Sequence, residues 1–356
     1  MNRKTLFSAF FLLIGIGFVH YAVAVDGKNS DTAQHTPEIP ADFKDWLSAL
    51  QDEAIKKGVR SETVNNVLKN IEYMPRVIAS DRAQAEFKES YAQYLSKRVS
   101  KWRIEKGQNL HIELQSDIEK VTGEYNVPSR FVLAILGIET NYGTFKLPHS
   151  ALNVLATLAY DSRRGDRFRK EVFATLEMID KGYANYEQLS SSWAGALGQP
   201  QFMPSTYLQF AVDHDNDGLK NIWERGPDLY ASVANYLSHY GWNDKQTWAR
   251  KVLLPKESLK QLAADKINKA TTPSSCKRYH KHLHGWKNLV QWNDLGVRRM
   301  NGTDLPERSD LAASLIVTDE VSGHGYLVYG NFCTIMRYNP SFKYALSVGT
   351  LSDYFK

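Results

Sequence analysis

From Phe43 onward, apolar residues recur every third or fourth position with charges between them, which predicts helices. Phe87, Tyr91, Tyr94, Leu95 and Val99 mark one such stripe, and a further helix is predicted over residues 110–121, after Gly107. Residues 131–138 differ. They read Phe-Val-Leu-Ala-Ile-Leu-Gly-Ile, apolar on every face, and follow Pro128 and Ser129. A helix that is apolar all round is buried all round. This one ends at Glu139-Thr140-Asn141-Tyr142-Gly143, where Gly143 supplies a stop. Helices follow at 151–160 and 168–181, and from near Asp228 to Tyr240 before Gly241. From about residue 255 the texture changes. Leu315-Ile316-Val317 and Tyr326-Leu327-Val328-Tyr329 are rich in strand formers and flank the turn signal Ser322-Gly323-His324-Gly325, which predicts a β-hairpin. Residues 344–355 return to helical spacing. The pattern predicts a mainly α (α+β) protein. It has an N-terminal helical region at 41–125, a helical core at 126–254, a small β-containing region at 255–330 and a segment at 331–356 that returns to the core.

The first residues carry a different signal. Arg3 and Lys4 precede an apolar stretch from Leu6 to Val19, and Ala22-Val23-Ala24 forms a small-x-small cleavage site. The stretch is short for a membrane span. We therefore expect a signal peptide at 1–24, export, and a flexible mature N-terminus at 25–40. No cysteine near the cleavage site offers a lipid anchor, and no later segment is apolar enough to span a bilayer. The chain of 356 residues is 43 % apolar, enough for a substantial core. Its net charge of +5 suits an anionic polymer or a membrane surface, and with no basic run interleaved with aromatics it does not suggest nucleic acid. Export to an oxidising compartment leaves both a disulfide and two buried thiols open for Cys276 and Cys333.

Glu139 carries the clearest chemistry. Burial disfavours a charged carboxylate and raises its pKa. An acid still protonated near neutral pH can protonate a leaving sugar oxygen. Glycosidases commonly use a second carboxylate, yet the next acid in the chain is Asp161. The segment 190–205 is dense in glycines, small residues and hydroxyls, with amides at Gln199 and Gln201 suited to sugar hydroxyl and acetamido groups. Asp213-His214-Asp215-Asn216-Asp217-Gly218 continues through Leu219 to Glu224 and fits the EF-hand loop, with acids at positions 1, 3 and 5, Gly at 6 and Glu at 12. A structural Ca²⁺ ion is expected there, with the Leu219 carbonyl among its ligands.

Three stretches together resemble the lytic murein transglycosylase B family: Gly137-Ile138-Glu139-Thr140-Asn141-Tyr142-Gly143, the run from Leu155 to Arg164, and Ala194 to Ser205. Tyr94–Val99, Asp213–Trp223, Ser232–Leu237 and Arg337–Ser341 fall in the same order, so the similarity spans roughly residues 40–356. The resemblance implies a lysozyme-like core within a larger helical body, in a monomer acting on peptidoglycan glycan strands in the periplasm, alone or beside other cell-wall enzymes. It implies cleavage between N-acetylmuramic acid and N-acetylglucosamine that leaves a 1,6-anhydro ring, with Glu139 acting first as acid and then as base. By the same carry-over, Ser192 and Gln201 contact the sugar. Tyr94, Tyr236, Tyr338 and Asn339 line the cleft and stabilise positive charge on the ring. Arg163 and Arg164 face the peptide stem or lactyl carboxylate. Asp213, Asp215 and Asp217 bind calcium. The family pattern closes that cage with Asp228, whereas the EF-hand pattern offers Glu224. Thr140 stands where serine is common, and the missing lipid cysteine departs from membrane-bound members. The competing readings are a hydrolase of the lysozyme type and a non-catalytic peptidoglycan-binding scaffold.

Overall fold

The computed structural model describes residues 40–82, 89–161, 163–255, 272–279, 282–283, 285–319 and 323–356. The expected signal peptide and N-terminal segment, together with Phe87 and Ser322, lie outside the described residues. Among the described residues ten α-helices precede the sheet: α1 (Ala41–Lys56), α2 (Ser61–Leu68), α3 (Pro75–Arg82), α4 (Tyr91–Arg98), α5 (Lys101–Gly123), α6 (Ser129–Thr140), α7 (Ala151–Tyr160), α8 (Gly165–Asp180), α9 (Pro204–Phe210) and α10 (Pro227–His239). A two-stranded ribbon pairs β1 (His149–Ser150) with β2 (Ser190–Ser191). The sheet region holds β3 (Ala249–Leu253), β4 (Lys287–Asn288), α11 (Leu289–Asp294), β5 (Arg298–Arg299), β6 (Ala312–Asp319) and β7 (His324–Val328). Then come α12 (Gly330–Tyr338) and α13 (Phe342–Ser352). No helix among the described residues is long and apolar enough to cross a membrane.

The all-apolar helix is the axis of the molecule. Every residue of α6 from Phe131 to Ile138 is buried, and α5, α10 and α13 pack around it. Burying each large apolar side chain contributes roughly 1.5–3 kcal/mol, which fixes where this helix can lie and so where its last turn points. The stop comes earlier than the glycine predicted. Asn141, Tyr142 and Gly143 all take left-handed backbone angles, and the Asn141 N–H caps the helix on Leu136 O. Helix α5 also departs from expectation by running straight through Gly107. A Cβ there would collide with the ring of Phe355 and the hydroxyl of Tyr142, so the position serves as a packing notch.

The sheet is antiparallel throughout, in the order β4-β6-β7-β3-β5. The hairpin β6–β7 forms where the strand formers lie. Strand β3 begins at Ala249, ahead of the boundary drawn at 255, and sits inside the sheet between β7 and β5. Val252, Leu289, Trp292, Val297 and Leu327 give the sheet its own small core. Strand β7 leads almost directly into α12, which returns to the helical body. A disulfide joins Cys276 to Cys333 and ties the segment at 274–279 to α12.

Candidate active site

Glu139 stands on the last turn of α6, with α4 and α13 on its flanks. The fully packed helix beneath it fixes its backbone. Its half-buried carboxyl accepts a hydrogen bond from the Tyr344 hydroxyl, Oη to Oε1 2.6 Å. Burial pushes its pKa up to about 7, against the opposing pull of the Tyr344 hydrogen bond and the Arg98 charge. Among the described residues the charge acting on it is this cation, with no second carboxylate.

Tyrosines build the rest of the wall. Tyr338 stacks parallel to Tyr344 with ring centroids 6.4 Å apart, and Tyr236 meets Tyr338 edge-on at 4.9 Å. The hydroxyl of Tyr338 donates to Pro200 O (2.6 Å) and that of Tyr236 to Arg337 O (2.5 Å). Both therefore pin backbone from other elements. Tyr94 lies on α4 beneath the Arg98 guanidinium, 5.4 Å from its ring, and the charge of Glu139 acts on its hydroxyl. The structure thus brings Glu139, Tyr94, Tyr338 and Tyr236 into one chain of contacts. Asn339 follows Tyr338 at the C-cap of α12.

The loop at 190–205 closes against this wall by its own hydrogen bonds. Leu197 and Phe202 exchange backbone bonds in both directions, and the Ser192 N–H donates to Ala196 O. Ser192 Oγ accepts from the Ala196 N–H at 3.3 Å. Gln201 has a left-handed backbone, and its Nε2 donates to Gly198 O at 2.9 Å. A side chain at Gly195 would strike Leu155. Thr140 ties the loop to the acid, because its Oγ1 donates to Gln199 O (3.0 Å) and accepts from the Gly143 N–H (3.1 Å). The hydroxyl kept at Thr140 therefore has a structural use.

Arg163 and Arg164 precede α8 and face α3. Both guanidiniums are turned onto Asp81, a carboxylate only 2 % exposed. A buried carboxylate needs cationic partners to offset its lost hydration, and this one takes both.

The acidic loop assembles four carboxylates. Oxygens of Asp213, Asp215, Asp217 and Asp228 lie within 4.8 Å of one another. Asp228, on the first turn of α10, reaches back to accept the N–H groups of His214 (2.6 Å) and Asn221 (2.8 Å). Glu224 is not among the four. It is exposed, with its N–H on Asn221 Oδ1, so the acid brought to the cluster is Asp228. Leu219 donates its own N–H to Asp217 Oδ1. An all-oxygen donor set of this density fits a hard divalent cation such as Ca²⁺.

Two supporting residues escaped sequence reasoning. Tyr344 offered only its place on a predicted helix. Arg103 is nearly buried and clamps α4 to the turn after Glu139. Its Nε donates to Asn141 Oδ1 at 3.2 Å, and its Nη1 to the carbonyls of Lys97 (3.3 Å) and Arg98. The Tyr142 hydroxyl in turn donates to Arg103 O at 2.7 Å.

A helical body built around a single half-buried acid defines a lysozyme-like enzyme. The sequence pattern of the transglycosylase SLT domain matches residues 42–353, and the chain belongs to that family. It is a lytic transglycosylase, of the enzyme class that acts on peptidoglycan. It is similar to the membrane-bound lytic murein transglycosylase B of Escherichia coli, 29 % identical over 277 residues, covering 74 % of this chain and 67 % of that one. The structure of SltB3 from Pseudomonas aeruginosa in complex with NAG-anhNAM-pentapeptide superposes with a TM-score of 0.77 at 34 % identity, over 88 % of this chain and 79 % of that one. The Escherichia coli lytic transglycosylase Slt35 in complex with calcium gives 0.69 at 25 % identity, over 87 % and 92 %.

Proposed function

We propose that the chain cleaves peptidoglycan between N-acetylmuramic acid and N-acetylglucosamine and leaves 1,6-anhydromuramic acid, with Glu139 carrying both proton transfers. In the first step protonated Glu139 gives its proton to the glycosidic oxygen as the C1–O bond breaks. Positive charge develops on the ring, beside the electron-rich faces and hydroxyl oxygens of Tyr94 and Tyr338. In the second step the Glu139 carboxylate takes the proton of the muramic C6 hydroxyl, whose oxygen bonds to C1. The proton returns to Glu139 and the atoms balance without water. Ser192, Gln201, Tyr236 and Asn339 are the proposed sugar contacts.

The observation carrying this reading is a carboxyl raised to about 7 with no second carboxylate, among the described residues, acting on it. A group poised there passes a proton in either direction at little cost. The test is digestion of purified sacculi with product analysis by mass spectrometry. Wild-type chain should yield anhydro ends and Glu139→Gln none. Reducing ends from the wild type would make it a hydrolase, and full activity of the variant would remove Glu139 from the mechanism.

The loop of Asp213, Asp215, Asp217 and Asp228 is proposed to hold a structural Ca²⁺, with the Leu219 carbonyl as a further ligand. The ion would supply rigidity to the start of α10 and no step of the reaction. The N-terminal signal supports export to the periplasm.

A further inference from the structure

Gln199 is one of the two amides in the loop at 190–205, yet it is only 7 % exposed and its carboxamide is used inside the protein. Its Nε2 donates to Trp223 O at 3.0 Å, while its Oε1 is buried without a hydrogen-bond partner. A buried acceptor left unpaired is costly, so the bond through Nε2 and the space around the group are what hold it. Gly143 leaves part of that space, since a Cβ there would fall 2.6 Å from the carboxamide carbon.

The main chain of the same residue joins two further segments. The Gln199 N–H donates to Ile222 O at 2.9 Å. Its carbonyl accepts from Thr140 Oγ1 at 3.0 Å, and that hydroxyl accepts from the Gly143 N–H at 3.1 Å. Thr140 follows Glu139 directly. The junction is tight, because a Cβ at Gly198 would lie 2.6 Å from Ile222 O. A second bond runs beside it, from Trp223 Nε1 to Ser190 O at 3.2 Å.

Ile222 and Trp223 lie at the far end of the acidic loop. Asn221, just before them, gives its N–H to Asp228 Oδ2 at 2.8 Å, and its Oδ1 accepts the Trp223 N–H at 3.0 Å. Asp228 is one of the four clustered carboxylates. Carboxylates this close repel one another unless a cation lies between them. The placing of Asp228, and of the peptide group it holds at Asn221, therefore answers to the cation. From there the connection runs through Ile222 and Gln199 to Thr140, beside the acid.

We infer that Gln199 is a positioning residue that couples the acidic loop to the loop bearing Ser192 and Gln201, so that a divalent cation held by Asp213, Asp215, Asp217 and Asp228 tightens binding of the glycan strand. This inference rests on the proposed calcium site and the proposed peptidoglycan substrate. Coupling between two binding sites is reciprocal, so bound glycan tightens the cation by the same factor. The cation takes no part in proton transfer, and its effect falls on KM more than on kcat.

The experiment is a thermodynamic cycle in the Glu139→Gln background, which is proposed to bind strands without cleaving them. Affinity for amidase-stripped glycan strands is measured by calorimetry in calcium and in chelator, for this parent and for Gln199→Met, which keeps the length of the side chain and removes its donor. Calcium affinity is measured with and without strands, and melting temperatures are recorded for each protein. Calcium should tighten strand binding by about fivefold or more in the parent, and strands should tighten calcium equally. In Gln199→Met that factor should shrink by about threefold. In the active wild type, chelator should raise KM and leave kcat nearly unchanged. Strand affinity that is the same in calcium and in chelator, while calcium still raises the melting temperature, would overturn the inference without need of any variant. So would equal weakening by Gln199→Met in both conditions, because Gln199 would then only brace its own loop. A parent that melts alike in calcium and in chelator would instead remove the cation site, and one that binds no strand in either would sink the peptidoglycan reading; each takes this proposal with it.

Discussion

Replacing Tyr344 with Phe removes one oxygen and leaves the ring that stacks on Tyr338. The lost hydrogen bond, 2.6 Å to Glu139 Oε1, favours the ionised carboxylate and holds its pKa down against burial. A hydrogen bond to a charged group is worth roughly 1.5–3 kcal/mol. At about 1.36 kcal/mol per pKa unit, its loss should raise Glu139 by about one to two units. In the proposed mechanism cleavage begins with the protonated acid, so the wild-type alkaline limb should fall near the present value of about 7. In Tyr344→Phe that limb should move to higher pH by about one to two units, while the maximal rate drops because the carboxyl is less well oriented. The assay is kcat/KM on sacculi from pH 5 to 10, with anhydro product quantified. A limb that stays in place, or moves to lower pH, would refute this account of what sets the acidity of Glu139.

Three further outcomes follow from other parts of the molecule. Glu139 is raised in the fold, so its contribution to stability is fully present below the unfolded pKa and is lost as pH rises through about 7. Glu139→Gln should accordingly raise the melting temperature at pH 8, by up to about 3 kcal/mol of stability, and leave it unchanged at pH 4; equal shifts at both would contradict the burial argument. Calcium at a hundred times its dissociation constant should stabilise the chain by about 2.7 kcal/mol. Asp228→Asn should shrink that gain, and a wild-type chain with the same melting temperature in calcium and in chelator has no such site. Arg103→Met and Asn141→Gly cut the same connection between α4 and the turn after Glu139, and glycine preserves the left-handed angle. Each should lower kcat, and the double variant should be little worse than either single, with a coupling of about 0.5–3 kcal/mol. Strictly additive losses would show that the two residues act separately.

The parts legible in the sequence are those set by local pattern. An apolar run without a polar face can only be buried, and its terminal Glu139 shares that burial. Acids alternating before a glycine announce their loop, and α7 spans the predicted residues. What escaped depends on partners distant in the chain. Tyr344 reaches Glu139 across 205 positions. Asp81 claims Arg163 and Arg164 from a helix outside the motif that carries them. Gly107 costs about 1 kcal/mol in a helix interior, yet Phe355 and Tyr142 need the space that a larger residue would occupy. Strand β3 reads Ala-Arg-Lys-Val-Leu, too charged and too short to declare itself before β7 pairs with it. The choice between Glu224 and Asp228 turned on the direction in which α10 begins, which loop spacing does not encode.

One consequence of the geometry bears on the number of proton carriers. Tyr94, Tyr338 and Tyr344 are all raised above the ordinary phenol value, chiefly by burial, and the charge of Glu139 pushes each further. They remain hydroxyls at any pH where the enzyme works, able to donate or accept hydrogen bonds but not to exchange net charge. Beside these tyrosines, Glu139 is the group whose pKa lies near neutrality. The proposed two-step cleavage gives up a proton and recovers one, and in that proposal the same carboxyl does both. The tyrosines divide the remaining work: Tyr344 sets how readily that proton leaves, and Tyr338 holds the backbone of the loop at Pro200.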